Sequence, residues 1–305
     1  MDNFYKMLNT QSILFIYLIV GIICRKTGIF SNELRSKLSD FVIHITLPCM
    51  IFESFHMEFS MSVLRESGIA LLIASGMAAV SVLLGQILYR KMSPRRRSVM
   101  QYGTLCSNSV FTGFPIISGL YGASGLLLAS FYVIPNRIMM WTAGVSYFTG
   151  KSGSKKQQIL RVLRLPAVVA VYVGLLRMVL NVPLPAFVDT ALNGVGNCTS
   201  PLAMALVGAI LADTDVRSVF EPCTFYLVLI RQVVLPLICL GVLYFLPVDP
   251  LTVGVSVVIS GMPVASTTAI LAQKYDADAL FASRCVFVST LTSLITAPLL
   301  TLLLR

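Results

Sequence analysis

Charge is scarce in this 305-residue chain. Asp, Glu, Lys and Arg supply 12% of it, about half the roughly 25% usual in soluble globular domains, which argues against a soluble enzyme. The familiar catalytic patterns are missing too. There is no H-E-x-x-H, no paired-aspartate metal motif and no G-x-S-x-G, so a membrane-embedded enzyme is not expected. The seven cysteines include no C-x-x-C pair and lie mostly inside apolar runs. They point to neither a metal knuckle nor a disulfide framework, but to small core hydrophobes.

What the chain does have is hydrophobic length, with 56% of its residues apolar. A spanning helix needs about 20 mostly apolar residues, and runs bounded by charge or by Pro and Gly divide the chain into ten such segments. They fall at roughly 11–29, 34–56, 65–89, 97–119, 123–149, 165–181, 187–211, 222–246, 250–273 and 278–304. The expected fold is therefore an all-α polytopic membrane protein, with connections too short for a second folded domain. The first nine residues carry no basic run ahead of an alanine-type cleavage site, so the first apolar run is expected to be retained.

The net charge of +10 would suit nucleic acid, but 16 of the 23 Lys and Arg fall in the connections after odd-numbered segments or at the segment edges beside them. The positive-inside rule reads them as topology signals instead: odd connections in the cytoplasm, both termini outside, no nucleic-acid partner. Each half then has five spans, and an odd number makes the second half run inverted. Internal similarity agrees. Gly21 and Gly174, Pro48 and Pro201, and Ala129-Ser130 and Ala282-Ser283 each lie 153 residues apart, and Gly113-Phe114-Pro115 recurs as Gly261-Met262-Pro263 at 148. The expected organisation is a first repeat over 1–149, a short basic cytoplasmic linker over 150–164 and an inverted repeat over 165–305.

The Gly-x-Pro motifs place the chemistry. They interrupt the fourth segment of each half, Ser107 to Pro115 and Val258 to Pro263, and matched broken helices are the best sequence pointer to a transporter site. Proline lacks an N–H and clashes with the carbonyl four residues back, so Pro115 would free the Phe111 carbonyl and Pro263 that of Ile259. If these helices cross at the midplane, their new N-termini offer free N–H groups and partial positive charge to an anion.

At these residues the chain resembles the auxin efflux carrier family, which includes bacterial malate and malonate permeases as well as plant carriers. The resemblance rests on Leu47 through Phe55, Asn108 through Pro115, Leu120-Tyr121-Gly122 and Trp141-Thr142 in the first half. In the second half it rests on Pro201-Leu202-Ala203, Gly208 through Leu211 and Pro263 through Tyr275. It implies ten spans, a scaffold and a transport bundle, and an organic-anion site where the fourth and ninth helices cross. It also implies that the scaffold helices one, two, six and seven can support a homodimer. The short linker is closer to the bacterial members, and Ser256 stands where a second amide would match Asn108.

The expected binding residues are Asn108, Gly113 and Pro115 at the first break and Ser260, Gly261, Pro263 and Thr267 at the second, with Asn136, Arg137 and Arg231 at mid-helix depth. Asn108 either binds substrate or makes an interhelical hydrogen bond. Each arginine either forks a carboxylate, which suits a dicarboxylate, or pairs with Glu53, Asp40 or a carbonyl. The sequence thus points to a bacterial inner-membrane carrier of small organic anions such as malate. The same general fold also serves bile-acid-like, keto-acid or auxin-like substrates, and a sensor without transport stays open. No metal or cofactor is expected. A coupling ion would be H+ or Na+, with Asp40, His44, Glu53 and His56 as candidate proton carriers, and His44 the best of them.

Overall fold

The computed structural model describes residues 2–56, 60–149, 160, 163–213 and 221–304. Helix α1 (Asp2–Lys26) is followed by α2 (Asn32–Phe41), which continues through a π-helical turn, Val42–Thr46, into α3 (Leu47–Glu53). Next come α4 (Met61–Leu88), α5 (Pro94–Leu105), a π turn over Ser109–Gly113, α6 (Phe114–Met139), a further π turn over Met140–Gly144 and α7 (Val145–Thr149). The second half has α8 (Pro166–Leu180), α9 (Ala186–Asn197), α10 (Thr199–Ala212) and α11 (Pro222–Leu229). It ends with a π turn over Ile230–Val234, α12 (Leu235–Tyr244), α13 (Pro250–Ser260), α14 (Thr267–Lys274) and α15 (Ala279–Leu302). No strand occurs among the described residues, so the chain is all-helical.

Local chemistry sets these boundaries. Ser31 and Ser60 accept from the N–H groups of Leu34 and Val63, capping α2 and α4, and Asp249 and Asp278 do the same for α13 and α15. Proline opens α5, α8, α11 and α13, where its missing N–H costs nothing. Three of the π turns end just ahead of a proline, at Pro48, Pro115 and Pro236. Widening the helix by one residue relieves the clash between the proline ring and the carbonyl behind it.

Among the described residues, five helical stretches are long and apolar enough to cross a bilayer: Met61–Leu88, Ser109–Thr149, Ala186–Ala212, Pro222–Tyr244 and Ala279–Leu302. At about 1.5 Å per residue, the 41 residues of Ser109–Thr149 would reach roughly twice the bilayer's hydrocarbon thickness. They do not run straight, because the backbone leaves the helix at Gly122 with φ 62° and ψ −151°, a conformation only glycine adopts freely. Apolar side chains cover the outside as well as the core; Ile16, Leu72, Leu176 and Ile295 are all exposed. Contiguous exposed apolar surface of this kind fits a hydrocarbon solvent and not water.

Helix α1 lies along α10 and also packs on α6 and α15, and α3 packs on α8 and α9. Elsewhere α4 packs on α6, α11 on α15, and α13 on both α6 and α12. Backbones touch where α1 crosses α10: a Cβ on Gly21 would lie 2.0 Å from the Ala205 carbonyl oxygen, and one on Gly208 2.0 Å from that of Leu18.

Charges gather at two ends. At one, Arg25 and Arg35 grip Asp213 at 2.7 and 2.6 Å, Arg96 binds Glu221 and Asp278, and Arg95 binds Asp276. At the other, Arg177 holds Asp189 at 2.9 Å and faces Glu53 at 3.7 Å, and Thr252 donates to Glu66. Partial burial raises the Asp213 carboxyl pKa, but hydrogen bonds from Arg25 and Arg35 outweigh this and hold it below its ordinary 3.8. A depressed carboxylate stabilises the fold above its unfolded pKa, and that stabilisation is lost as pH falls through the folded value.

Two outcomes follow from this packing. Gly208→Ala should lower stability by about 1–3 kcal/mol through overpacking, whereas Gly241→Ala, with no atom within 4 Å of the added carbon, should not; thermal unfolding in detergent compares them. Asp213→Asn should lower the thermal midpoint near neutral pH and flatten its fall between about pH 5 and pH 3.

Candidate functional site

Two extended segments meet inside the bundle. One is Cys106 to Asn108, between α5 and the π turn; the other is Met262 to Ala265, between α13 and α14. They run antiparallel, with Ser107 opposite Val264. The Asn108 N–H donates to the Pro263 carbonyl at 2.8 Å, and the Ala265 N–H donates to the Cys106 carbonyl at 3.0 Å.

This corrects one expectation. The first interruption lies at Cys106–Asn108, and Gly113-Phe114-Pro115 sits in a continuous helix downstream of it. Only in the second half does the break contain the proline, so the two Gly-x-Pro motifs are not structural counterparts. The π turn over Ser109–Gly113 absorbs Pro115 without breaking the chain. Gly113 still matters at the crossing, since a Cβ there would lie 3.1 Å from the Met262 side chain. A Cβ on Gly261 would meet Leu300 at 2.5 Å.

Arg231 is bound to the main chain at two points. Its Nε donates to the Met262 carbonyl at 3.1 Å and its Nη1 to the Thr104 carbonyl at 2.8 Å, so one guanidinium ties both broken helices together. Of the partners expected for it, the carbonyl is the one found. Glu53 is instead beside Arg177, at the far end of the molecule. Sequence reading missed the other holders of the crossing. The Ser289 hydroxyl accepts from the Val264 N–H at 3.1 Å, and Gln232 donates to the Ser289 carbonyl while accepting from Thr292 and Thr296. A glutamine beside an arginine at mid-helix was the available signal.

Arg137 is placed differently. It lines a cavity of about 200 Å³, walled by Leu47 and Ile51 of α3, Val110 and Phe111 of the π turn, Phe114, Val133 and Ile134 of α6, Val168 and Val171 of α8, and Thr267 at the start of α14. Among the described residues no carboxylate pairs with it, and its Nη1 has only the Met140 sulfur at 3.7 Å. The Thr267 hydroxyl shares a hydrogen bond of 3.0 Å with the buried Tyr102. Ser130 also lines it, with its hydroxyl donating to the Leu126 carbonyl at 2.8 Å, so the cavity has one cation, two hydroxyl residues and otherwise apolar walls.

The remaining expected residues divide. Asn136, Arg231 and Ser260 line a separate void of about 20 Å³, the size of one water. Asn108 is buried at the crossing, with its amide donating to Thr112 at 3.1 Å. None of Asp40, His44, Glu53 and His56 lines the Arg137 cavity. His44 is exposed, and its Nδ1 lies 2.9 Å from the Asp40 carbonyl.

The model of a family described as membrane transport protein matches residues 9–301. The chain belongs to this family, the auxin efflux carriers. Two relatives of the same length class agree. An uncharacterized transporter of Methanothermobacter thermautotrophicus is 28% identical over 95% of this chain and 97% of its own. One from Methanocaldococcus jannaschii is 24% identical over 93% and 94% respectively. This auxin efflux carrier family member is thus a membrane-embedded transporter and not an enzyme.

Arg231→Gln removes two charge-assisted bonds to carbonyls that have no other partner of that strength. It should lower stability by roughly 3 kcal/mol whether or not a substrate is present. Arg137→Gln, which breaks no ion pair, should leave the thermal midpoint within about 0.5 kcal/mol of wild type.

Proposed function

We propose that the chain is a secondary carrier of small organic anions that works by alternating access, with its site in the Arg137 cavity. The observation that carries this is an arginine without a carboxylate partner, facing a cavity at the start of two interrupted helices. Val110 and Phe111 belong to the first turn after one break and Thr267 to the first turn after the other, where N–H groups lack intrahelical partners and the dipole favours an anion.

The cavity also has α3 and α8 on one side and α6, the π turn and α14 on the other. Walls drawn from different helices that can shift against one another are what a rocking mechanism requires. Ten spans in two inverted five-helix repeats, 1–149 and 165–305 joined by 150–164, are the topology this reading adopts. Exchange of the halves supports it: α1 on α10 answers α8 on α3, and α4 on α6 answers α11 on α15. The clusters at Asp213, Glu221 and Asp278 join connections after odd segments, with Arg284 reaching Glu221 from the last helix, in keeping with a cytoplasmic location for that end, outside termini and a bacterial inner membrane.

The dicarboxylate expectation leaned on two arginines, and Arg231 is occupied. One free guanidinium with apolar walls fits a carboxylate on a compact apolar body; a second carboxylate, as in malate, would meet hydroxyls and no second cation.

Counterflow in proteoliposomes tests this. Vesicles preloaded with malate, or with an apolar monocarboxylate, receive the labelled acid outside, with malonate, succinate, lactate and indole acetate as competitors, with and without pH and sodium gradients. Exchange should occur and fall by roughly tenfold or more in Arg137→Gln, with Asn108→Ala reporting on the crossing. Binding without exchange would make the chain a sensor, and Arg137→Gln exchanging like wild type would remove the site from this cavity.

A further inference from the structure

A second cavity, of about 760 Å³, opens at the end of the molecule where Arg95 and Arg96 make their ion pairs. It lies between the last turn of α4, the first turns of α5 and the residues of α7, and its volume is in the range of ligand sites. Three neighbouring arginines behave differently there. Arg95 and Arg96 turn to Asp276, Asp278 and Glu221, while Arg97 lines the cavity together with Arg90.

No acidic residue is among the described residues lining it, and the adjoining connection from Gly150 to Arg164 contains no Asp or Glu. Two polar atoms of its lining residues are buried without a hydrogen-bond partner, the Arg97 Nε and the Tyr147 hydroxyl. Buried polar groups left unpaired are costly, and each calls for a partner. Two guanidiniums and a phenol with no carboxylate among the described lining residues match the oxygens of a phosphate. The rim is apolar where Ile87, 63% exposed, lines it, and the same helix exposes Leu83 one turn back.

We propose that this cavity binds a phosphate group, carried by an anionic lipid or by a small soluble phosphate compound, with Arg97, Arg90 and Tyr147 donating to its oxygens. The apolar rim favours the lipid, whose acyl chain would follow α4. The assignment does not depend on the transport reading, since it concerns a different cavity and a different set of side chains.

The test uses the delipidated full-length protein. Native mass spectrometry measures binding of phosphatidylglycerol and of phosphatidylcholine, and calorimetry measures binding of inorganic phosphate and glycerol 3-phosphate. Wild type should bind phosphatidylglycerol in preference to phosphatidylcholine. Arg97→Gln should weaken that binding by about tenfold or more, and Tyr147→Phe by roughly threefold. Arg95→Gln, whose partner is the exposed Asp276, should leave it unchanged. Binding of glycerol 3-phosphate alone, with the same sensitivity to Arg97→Gln, would assign the soluble source. Tyr147→Phe loses a single hydroxyl and keeps the test decisive should Arg97→Gln fold poorly. Equal binding by wild type, Arg97→Gln and Tyr147→Phe, or no binding of any of these ligands, would overturn the proposal.

Discussion

A main chain that stops being helical inside hydrocarbon strands its N–H and C=O groups, each at a cost of several kcal/mol. Everything at the centre of this protein answers that constraint. The two interrupted helices satisfy one another through Asn108 to Pro263 and Ala265 to Cys106. What they leave over is taken by side chains from neighbours: Arg231 on Thr104 and Met262, Ser289 on Val264. A buried cation with no carboxylate partner among the described residues is tolerated here because carbonyl dipoles surround it. The two polar residues Arg231 and Gln232, adjacent on a π turn, thereby hold the interior main chain from outside it.

The same constraint separates two kinds of arginine. Arg231 is spent on structure, whereas Arg137 lies on the wall of a cavity whose other surfaces are mostly aliphatic and aromatic, with the hydroxyl residues Ser130 and Thr267 among them. Charges that make ion pairs among the described residues do so at the ends of the bundle, where water screens them and where they link connections to one another. Burial, then, does not by itself mark a binding residue in such a protein. The useful distinction is whether the polar atoms already have partners.

Much of the helical layout was legible, because apolar runs and their Pro, Gly, Ser and Asp punctuation act locally. Segment edges expected near residues 89, 165 and 250 fall within a few residues of the ends of α4, α8 and α13. The broken helices were legible as a pair, but the position of the first break was not. Pro115 drew attention to itself, yet a π turn accommodates it, and the extended residues Cys106 to Asn108 owe their shape to an extended segment 157 residues away in sequence. The division between Arg137 and Arg231 was illegible for a related reason. Both look alike as single cations in apolar helices, and only the tertiary positions of the Thr104 and Met262 carbonyls tell them apart.

Arg231 has a mechanical corollary. Because its guanidinium bridges carbonyls on both interrupted helices, these cannot part without breaking a charge-assisted bond and two main-chain hydrogen bonds in a medium that offers no replacement. The crossing is therefore a fixed pivot, and compliance has to reside elsewhere. The obvious place is the cavity wall formed by Leu47, Ile51, Val168 and Val171, a greased bearing on which one aliphatic contact can be exchanged for another with no polar group left behind.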